Sequence, residues 1–327
     1  MIQAKTILEA LPKVLKTINV PNVGPKYQGK VRDFYIVGAK RLTITTDRQS
    51  AFDVILGHIP FKGAILNQLA AFWFQKTSKI IKNHLIATPD PNVLVSHNCQ
   101  SIPVEMVVRG YITGVTTTSI WYSYERGVRT IYGLKFPDGL VKNQRLSQPV
   151  ITPTSHGGGK AGHDERLTRS EILKRKLVSP KIYQQMEAAT YKLFKYGTKL
   201  CKQAGLILVD TKYEFGLDQQ GNLMLIDEIH TPDSSRFWIA NTYKTRLKFA
   251  KEPDNFDKEF LRLWYANKGY RGDGPPPKMS KDLIAAVAKR YIGVYEKITG
   301  HAFTSFPYPI NRRINQNIKS YREEHSL

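Results

Sequence analysis

The stretch Leu206-Ile-Leu-Val-Asp-Thr-Lys-Tyr-Glu-Phe-Gly216, with Leu223-Met-Leu-Ile-Asp-Glu228 after it, decides how this chain is read. Both halves are apolar runs of strand length, and Asp218-Gln-Gln-Gly221 between them is a polar turn ending in glycine, so the pair reads as a β-hairpin. Side chains alternate along a strand, which sets Asp210, Lys212 and Glu214 on one face. With the turn centred between Gln219 and Gln220, Asp227 falls opposite Lys212 on that face. Three carboxylates and one ammonium then share a small area, and like charges gathered there need a neutralising cation. The plain alternative is a solvated face with salt bridges. The unbroken apolar runs Leu206–Val209 and Leu223–Ile226 argue instead for strands buried on both faces with the acids at their ends. Carboxylate oxygens favour a hard divalent cation, and magnesium held by one or two carboxylates commonly fills its other positions with water and phosphates. The hairpin therefore points to a nucleotide site.

Working outward, the 327 residues suffice for two domains or one large one. Hydrophobic residues make up 41% and charged residues 23%, which excludes wholesale disorder. No run of about 18 apolar residues suggests a membrane span, and the first 20 residues lack a signal-peptide core. Two cysteines far apart, Cys99 and Cys201, fit a reducing, cytoplasmic setting. The net charge of +22, from 49 basic against 27 acidic residues, would suit phosphate binding by a nucleic-acid partner. The basic residues are scattered singly and in pairs without a dense block, which favours anionic small molecules instead.

In chain order, residues 1–20 read as a helix ending before Pro21. Gly29-Lys-Val-Arg-Asp33 follows as a turn between strands, able to lay Gly29, Lys30, Val31 and Arg32 over phosphates through backbone N–H groups and two cations. Asp47 and Ser50, in Thr46-Asp-Arg-Gln-Ser-Ala-Phe-Asp53, stand at a strand end as binding groups or as turn and capping residues. A helix is expected over 63–81, then a strand from Val104 that runs into Arg109-Gly-Tyr-Ile-Thr-Gly114, where a guanidinium fork suits an anion. His156-Gly-Gly-Gly-Lys160-Ala-Gly-His-Asp-Glu165 reads as a loop able to close over substrates through Lys160, His163 and Asp164. Thr168 and Ser179 cap two helices, the second starting at Pro180 and ending before Gly205. Pro232-Asp-Ser-Ser turns Arg236 towards the acid pair Asp227 and Glu228, and a last strong helix spans 280–299.

Five motifs now stand in order: Gly29-Lys-Val-Arg-Asp33, Thr46-Asp-Arg-x-Ser-Ala-Phe-Asp53, Val108-Arg-Gly-Tyr-Ile-Thr-Gly114, Asp210-Thr-Lys-Tyr-Glu-Phe-Gly216 and Asp227-Glu-x-x-Thr-Pro-Asp-Ser-Ser-Arg236. Together they resemble the SAICAR synthetase (phosphoribosylaminoimidazole-succinocarboxamide synthase) family of de novo purine biosynthesis, from about Tyr27 to Gly300. The resemblance implies an α+β fold: an antiparallel N-terminal sheet domain (1–115) and an ATP-grasp-like second domain with packed C-terminal helices (116–327). It implies ATP and Mg²⁺, with L-aspartate and the carboxylated aminoimidazole ribonucleotide CAIR as co-substrates; with the cysteine, hydropathy and charge readings above, the expectation is a cytoplasmic monomer or small homo-oligomer without nucleic-acid or membrane partners. ATP would phosphorylate the CAIR carboxylate, and the aspartate amine would displace phosphate. Carried over by position, Gly29 to Arg32 would face ATP, with Glu214 and Asp227 on metal or nucleotide. Arg109, Arg236, Lys212 and Asp210 would hold CAIR, the last three close to the chemistry. Asp47, Ser50, Lys160, His163 and Asp164 would lie at the carboxylate and aspartate end. Two positions depart from the pattern: Val115 stands where the family has a small hydroxyl residue, and the glycine run precedes Lys160 where the family has Thr-Pro-x-Thr.

Overall fold

The computed structural model describes residues 2–155, 165–307 and 309–325. The chain opens with α1 (Ala4–Ala10) and a 3₁₀ turn (Leu11–Lys13), then runs through β1 (Lys26–Gln28), β2 (Arg32–Val37), β3 (Lys40–Thr45), β4 (Arg48–Ala51) and β5 (Val54–His58). After α2 (Lys62–Thr77) come β6 (Leu85–Asp90), β7 (Val93–His97), β8 (Gln100–Tyr111) and α3 (Ile120–Tyr124). The middle holds β9 (Thr130–Ile131), β10 (Leu134–Lys135), β11 (Arg145–Ile151), β12 (Thr154–Ser155), α4 (Arg169–Lys174) and α5 (Pro180–Gln203). β13 (Leu206–Leu217), β14 (Leu223–Ile226) and β15 (Ser235–Ile239) precede α6 (Ala240–Lys248), α7 (Glu259–Asn267), α8 (Lys281–Thr299) and α9 (Ile310–His325).

Two antiparallel sheets carry the architecture. The first runs β1-β2-β3-β7-β6; the second runs β11-β8-β13-β14, with β12 on β8 and β15 on β13. The chain leaves the first sheet at β7 and enters the second at β8, so Gln100–Tyr111, grouped with the N-terminal unit from sequence, hydrogen-bonds in the second sheet. The largest core joins that sheet to α2, α5 and α8 through residues such as Trp73, Tyr183, Phe215 and Tyr291. A separate core under the first sheet is closed by Ile310, Ile314 and Ile318 of α9. The tail beyond Asn311 is thus a docked helix, pinned by Arg313 Nε and Nη2 on Asp90 at 2.9 and 3.1 Å.

Local signals explain most helix ends. Thr168 and Glu171 form a reciprocal capping box at α4, Ser179 accepts from Ile182 N at 3.3 Å at α5, and Gly300 ends α8 with φ +76°. The expected helix over 1–20 stops at Lys13, with Pro12 inside the 3₁₀ turn. Beyond it the backbone donates to side chains distant in sequence: Leu15 N to Asp47, Ile18 N to Asp33 and Val20 N to Tyr35. Those bonds replace the i→i−4 ladder, so the segment is extended.

The central hairpin is closed by the pair Asp218 N–Asn222 O at 3.0 Å, leaving a three-residue loop, Gln219 to Gly221. Glu214 consequently pairs with Ile226, one residue out from the register expected for a two-residue turn. That shift would set Asp227 across from Tyr213, towards the core. Asp227 instead leaves the ladder with φ +64°, and its carboxylate returns to the Lys212 face at 4.0 Å from Nζ.

Candidate active site

β8 and β13 lie side by side with Arg109 opposite Asp210, Val107 opposite Lys212 and Glu105 opposite Glu214. Directly opposed residues share a face, so these six side chains form three rows on the face away from Tyr213 and Phe215. The row nearest the hairpin holds two carboxylates. Lys212 Nζ donates to Glu105 Oε1 at 2.8 Å and to Glu214 Oε1, bridging the pair and offsetting one of its two charges. Burial opposes the Lys212 charge, yet Glu214, Glu105 and Asp227 outweigh it and hold its pKa well above the lysine range.

The first sheet supplies the opposite wall. Asp33 and Tyr35 of β2 point into its core, so Arg32 and Phe34 point the other way. Arg32 spans the two sheets, with Nη1 on Asp227 Oδ1 at 2.5 Å and Nη2 on Glu228 Oε1 at 3.0 Å. Burial disfavours this guanidinium, but Asp227 and Glu228 overcome it and raise its pKa. Burial also raises the pKa of Asp227, with Arg32 and Lys212 pulling it down again. Phe34 stacks on Tyr27 at 5.1 Å, and Arg41 lies 4.6 Å over the Phe34 ring. An aromatic pair with a cation over it thus lies on the same β2 face as Arg32.

The second charged knot is built on Asp210. Its Oδ2 accepts from Arg109 Nη1 at 3.3 Å and Arg236 Nη1 at 2.5 Å. Arg109 is further held by Thr152 Oγ1 at 2.8 Å and Thr118 O at 3.1 Å, and Arg236 Nε lies 3.4 Å from Glu259 Oε2. Both arginines are less than a tenth exposed, so their forks are fixed by the fold. Beside them Gly114 takes φ +97°, and a Cβ there would lie 2.5 Å from Ser119 Cβ and 3.0 Å from Arg236 Nη2. Val115 brings no hydroxyl, but Thr116, Thr117, Thr118 and Ser119 follow it, and Ser119 is packed against this site.

The structure brings Arg32, Arg109, Asp210, Lys212, Glu214, Asp227 and Arg236 together in two adjoining charge clusters on β8, β13 and their neighbours. The turn before Arg32 is closed by Gly29 N on Arg32 O at 2.8 Å, and Val31 O accepts from Thr46 N at 3.0 Å. Lys30 is exposed and paired with Asp53. Asp47 does something different: its Oδ1 accepts from Gly63 N at 2.9 Å at the start of α2, and its Oδ2 from Leu15 N at 2.8 Å. Burial pushes its pKa up to about 6, with both amides pulling down. It caps a helix and ties down the N-terminal segment. Ser50 is buried in β4 opposite Ile55. Lys160, His163 and Asp164 lie outside the described residues.

Two contributors escaped the sequence reading. Glu105 shares the face of Arg109 by strand parity, and an acid inside the apolar run Val104–Val108 was its signal. Arg48 gave no local signal: buried, it donates to Lys16 O, Gly29 O, Lys30 O and Asp33 Oδ1 at 2.7–3.1 Å and so holds the Gly29 turn. Among the described residues no three acidic, histidine or cysteine side chains form a ready metal cage, and Lys212 and Arg32 stand among the acids. Glu214 and Asp227 are hard oxygen donors close enough to bond each other, which suits magnesium completed by phosphate oxygens.

A family model described as SAICAR synthetase matches residues 25–277. The phosphoribosylaminoimidazole-succinocarboxamide synthase of Legionella pneumophila (strain Paris) is 47% identical over 315 residues, 95% of this chain and 99% of the relative. A solved SAICAR-synthase from Saccharomyces cerevisiae, complexed with SAICAR, is similar at TM-score 0.76 and 32% identity, covering 89% of this chain and 100% of that one. A SAICAR synthetase (Type-2) in complex with ADP shares the fold at TM-score 0.66 and 24% identity, over 86% of this chain and 100% of the other. Matched over most of its length by both the family model and a relative at nearly half identity, this chain belongs to the SAICAR synthetase family.

Proposed function

We propose that this chain is the ATP-dependent ligase of purine biosynthesis that joins L-aspartate to the carboxylate of CAIR, giving SAICAR, ADP and phosphate. The observation that carries the reading is the pair of adjoining charge clusters: Arg32, Lys212 and four carboxylates at one end, and Arg109 and Arg236 around Asp210 at the other. The first suits a nucleotide triphosphate with its metal; the second suits a phosphate monoester gripped by two fixed guanidinium forks.

Joining a carboxylate to an amine requires that an oxygen of the carboxylate first become a leaving group. In the proposed sequence that oxygen attacks the γ-phosphorus of ATP and ADP departs. The aspartate amine then attacks the acyl carbon, the C–O bond to phosphate breaks, and the amine proton is lost. Two anions must meet in the first step, so catalysis is chiefly charge neutralisation and alignment. Arg32 and Lys212 stand where they can turn from carboxylates to phosphoryl and carboxylate oxygens, while Arg109 and Arg236 fix the ribose phosphate at a distance. Magnesium, held by Glu214 and Asp227, would supply neutralisation of the phosphate oxygens. The run Thr116 to Ser119 beside Arg236 offers the hydroxyls that Val115 lacks.

The test is phosphate release with ATP, Mg²⁺, aspartate and CAIR, each omitted in turn, beside Glu214→Gln. Release should require all four and fall at least about a hundredfold in the variant, as loss of a charge that positions the metal entails. Release without aspartate would replace the ligase reading with a kinase. Salt-sensitive retention on DNA by a protein that releases no phosphate would favour a nucleic-acid role.

A further inference from the structure

Lys62, at the first position of α2, is 0% exposed. An ammonium so placed must be fully bonded, because an unpaired buried charge is strongly destabilising. Its Nζ donates to Arg48 O at 3.0 Å and to Asp233 Oδ2 at 2.8 Å. Asp233 lies in the turn that leads into β15 and Arg236. Its other oxygen accepts from Tyr291 Oη of α8 at 2.5 Å, and Lys258 Nζ lies 3.8 Å away. Burial would raise the Asp233 pKa, but Lys258 and Lys62 outweigh it and hold the carboxyl well below the usual range. On the other side, Arg48 is the residue whose guanidinium grips Gly29 O and Lys30 O. One ammonium therefore stands between the turn that carries Lys30 and Arg32 and the turn that carries Arg236.

Stability alone does not account for this arrangement. Well-packed apolar residues in place of a buried ion pair are often neutral or stabilising, whereas removing a single partner is costly. Nothing in the reaction described above employs Lys62, Asp233 or Tyr291. The pair does join segments 171 residues apart: the start of α2, bonded to the Arg48 backbone, and the turn that leads into β15. Phosphoryl transfer needs reacting atoms about 3–3.5 Å apart, and a misplacement of about 1 Å can lower the rate on the order of 100-fold.

We infer that Lys62 is a positioning residue that, through the Arg48 backbone and Asp233, sets the nucleotide turn at Gly29–Arg32 against the substrate turn ending in Arg236. The inference rests on the ligase reading proposed above. Lys62 touches no substrate; it sets the spacing between two sets of groups that do.

The experiment compares the wild-type chain with Lys62→Met, Tyr291→Phe and the double variant Lys62→Met/Asp233→Asn, measuring melting temperature, kcat and the KM for ATP and for CAIR. Lys62→Met leaves Asp233 charged and short of a partner, so its melting temperature should fall. The double variant removes both charges of the pair and should recover most of that fall, because Lys258, which loses Asp233, keeps Glu228 as a neighbouring acid. Its kcat should nevertheless stay down on the order of 100-fold, with both KM values raised, because neutral side chains no longer fix the two turns. Recovery of kcat together with melting temperature would make the pair merely structural and overturn the inference. If the double variant does not recover its melting temperature, Tyr291→Phe decides. It removes one hydroxyl, and a CAIR KM raised about 5- to 10-fold at unchanged melting temperature supports positioning through Asp233. An unchanged CAIR KM overturns it. Wild-type protein that makes no SAICAR would sink the ligase reading, a different failure from wild-type turnover matched by unaltered variants.

Discussion

Lys212 can be tested as a counter-ion before it is tested as a catalyst. It lies between Glu105 and Glu214, which face each other across β8 and β13, with Asp227 4.0 Å away. Lys212→Met keeps most of the side-chain volume and deletes the charge. Two buried carboxylates left together have two courses: to remain ionised against their repulsion, or to take up one proton between them. The second course caps the penalty. Protonating an ordinary glutamate, with a reference pKa of about 4.3, costs about 3.7 kcal/mol at pH 7 and about 1.6 kcal/mol at pH 5.5. The variant should therefore lose at most about 4 kcal/mol at pH 7, within the range measured for broken buried pairs. About 2 kcal/mol of that loss should disappear on acidification to pH 5.5, since the unfolded chain pays no such protonation cost at either pH. Wild type gains nothing equivalent, because its lysine already satisfies the acids. Denaturant unfolding of both proteins at the two pH values gives the comparison directly, and magnesium added at pH 7 should narrow the gap by binding Glu214 and Asp227 and supplying the positive charge that the lysine supplied. A gap that stays constant or widens at pH 5.5 would show that Lys212 is not what neutralises these carboxylates.

Two further outcomes follow from buried groups outside the clusters. His230 lies 2.6 Å from Tyr213 Oη and against Trp73, and burial pushes its pKa down to about 3. Because the folded pKa lies below the unfolded value of about 6.5, the unfolded chain binds the proton first, and about 2 kcal/mol of stability is lost between pH 7.5 and pH 5. His230→Phe removes that dependence, so its stability deficit should shrink by about 2 kcal/mol over the same interval in chemical denaturation; an interval-independent deficit would contradict a neutral histidine. Arg48→Lys keeps a cation near Asp33 but cannot reach four acceptors at once, so the Gly29 turn should loosen and the KM for ATP rise about 10-fold with the CAIR KM little changed; equal rises in both would mean general unfolding of the cleft.

Much of this site was open to reading because strand alternation is local. Asp210, Lys212 and Glu214 share a face whatever the rest of the chain does. The register was less accessible: a three-residue loop where the sequence suggested two moves every partner by one, and only the left-handed backbone at Asp227 restores its carboxylate to the expected face. Partners distant in sequence were hidden altogether, as at Leu15, Ile18 and Val20, whose amides go to Asp47, Asp33 and Tyr35 and undo an otherwise credible helix.

The same distance effect explains why Asp47 could not be sorted from Asp210 by type or motif. Asp47 and Asp257 end on backbone amides, Leu15 and Gly63 for one, Phe237 and Glu259 for the other. At these two positions the amides pull down but burial outweighs them, with the Glu259 charge adding to it at Asp257, and the pKa values rise to about 6 and about 7. Asp233, equally buried, faces Lys62 and Lys258 and stays ionised. Amide-bound acids hold backbone in place and cannot be spared. Acids that meet mobile cations can exchange them for a metal, or release them to a substrate's phosphate. In this chain the acids that meet partly exposed cations are Glu105, Glu214, Asp227 and Glu228, around Lys212 and Arg32, whereas Asp210 meets two buried arginines. The division between structural and reactive carboxylates therefore follows the partner, and the partner is a property of the fold.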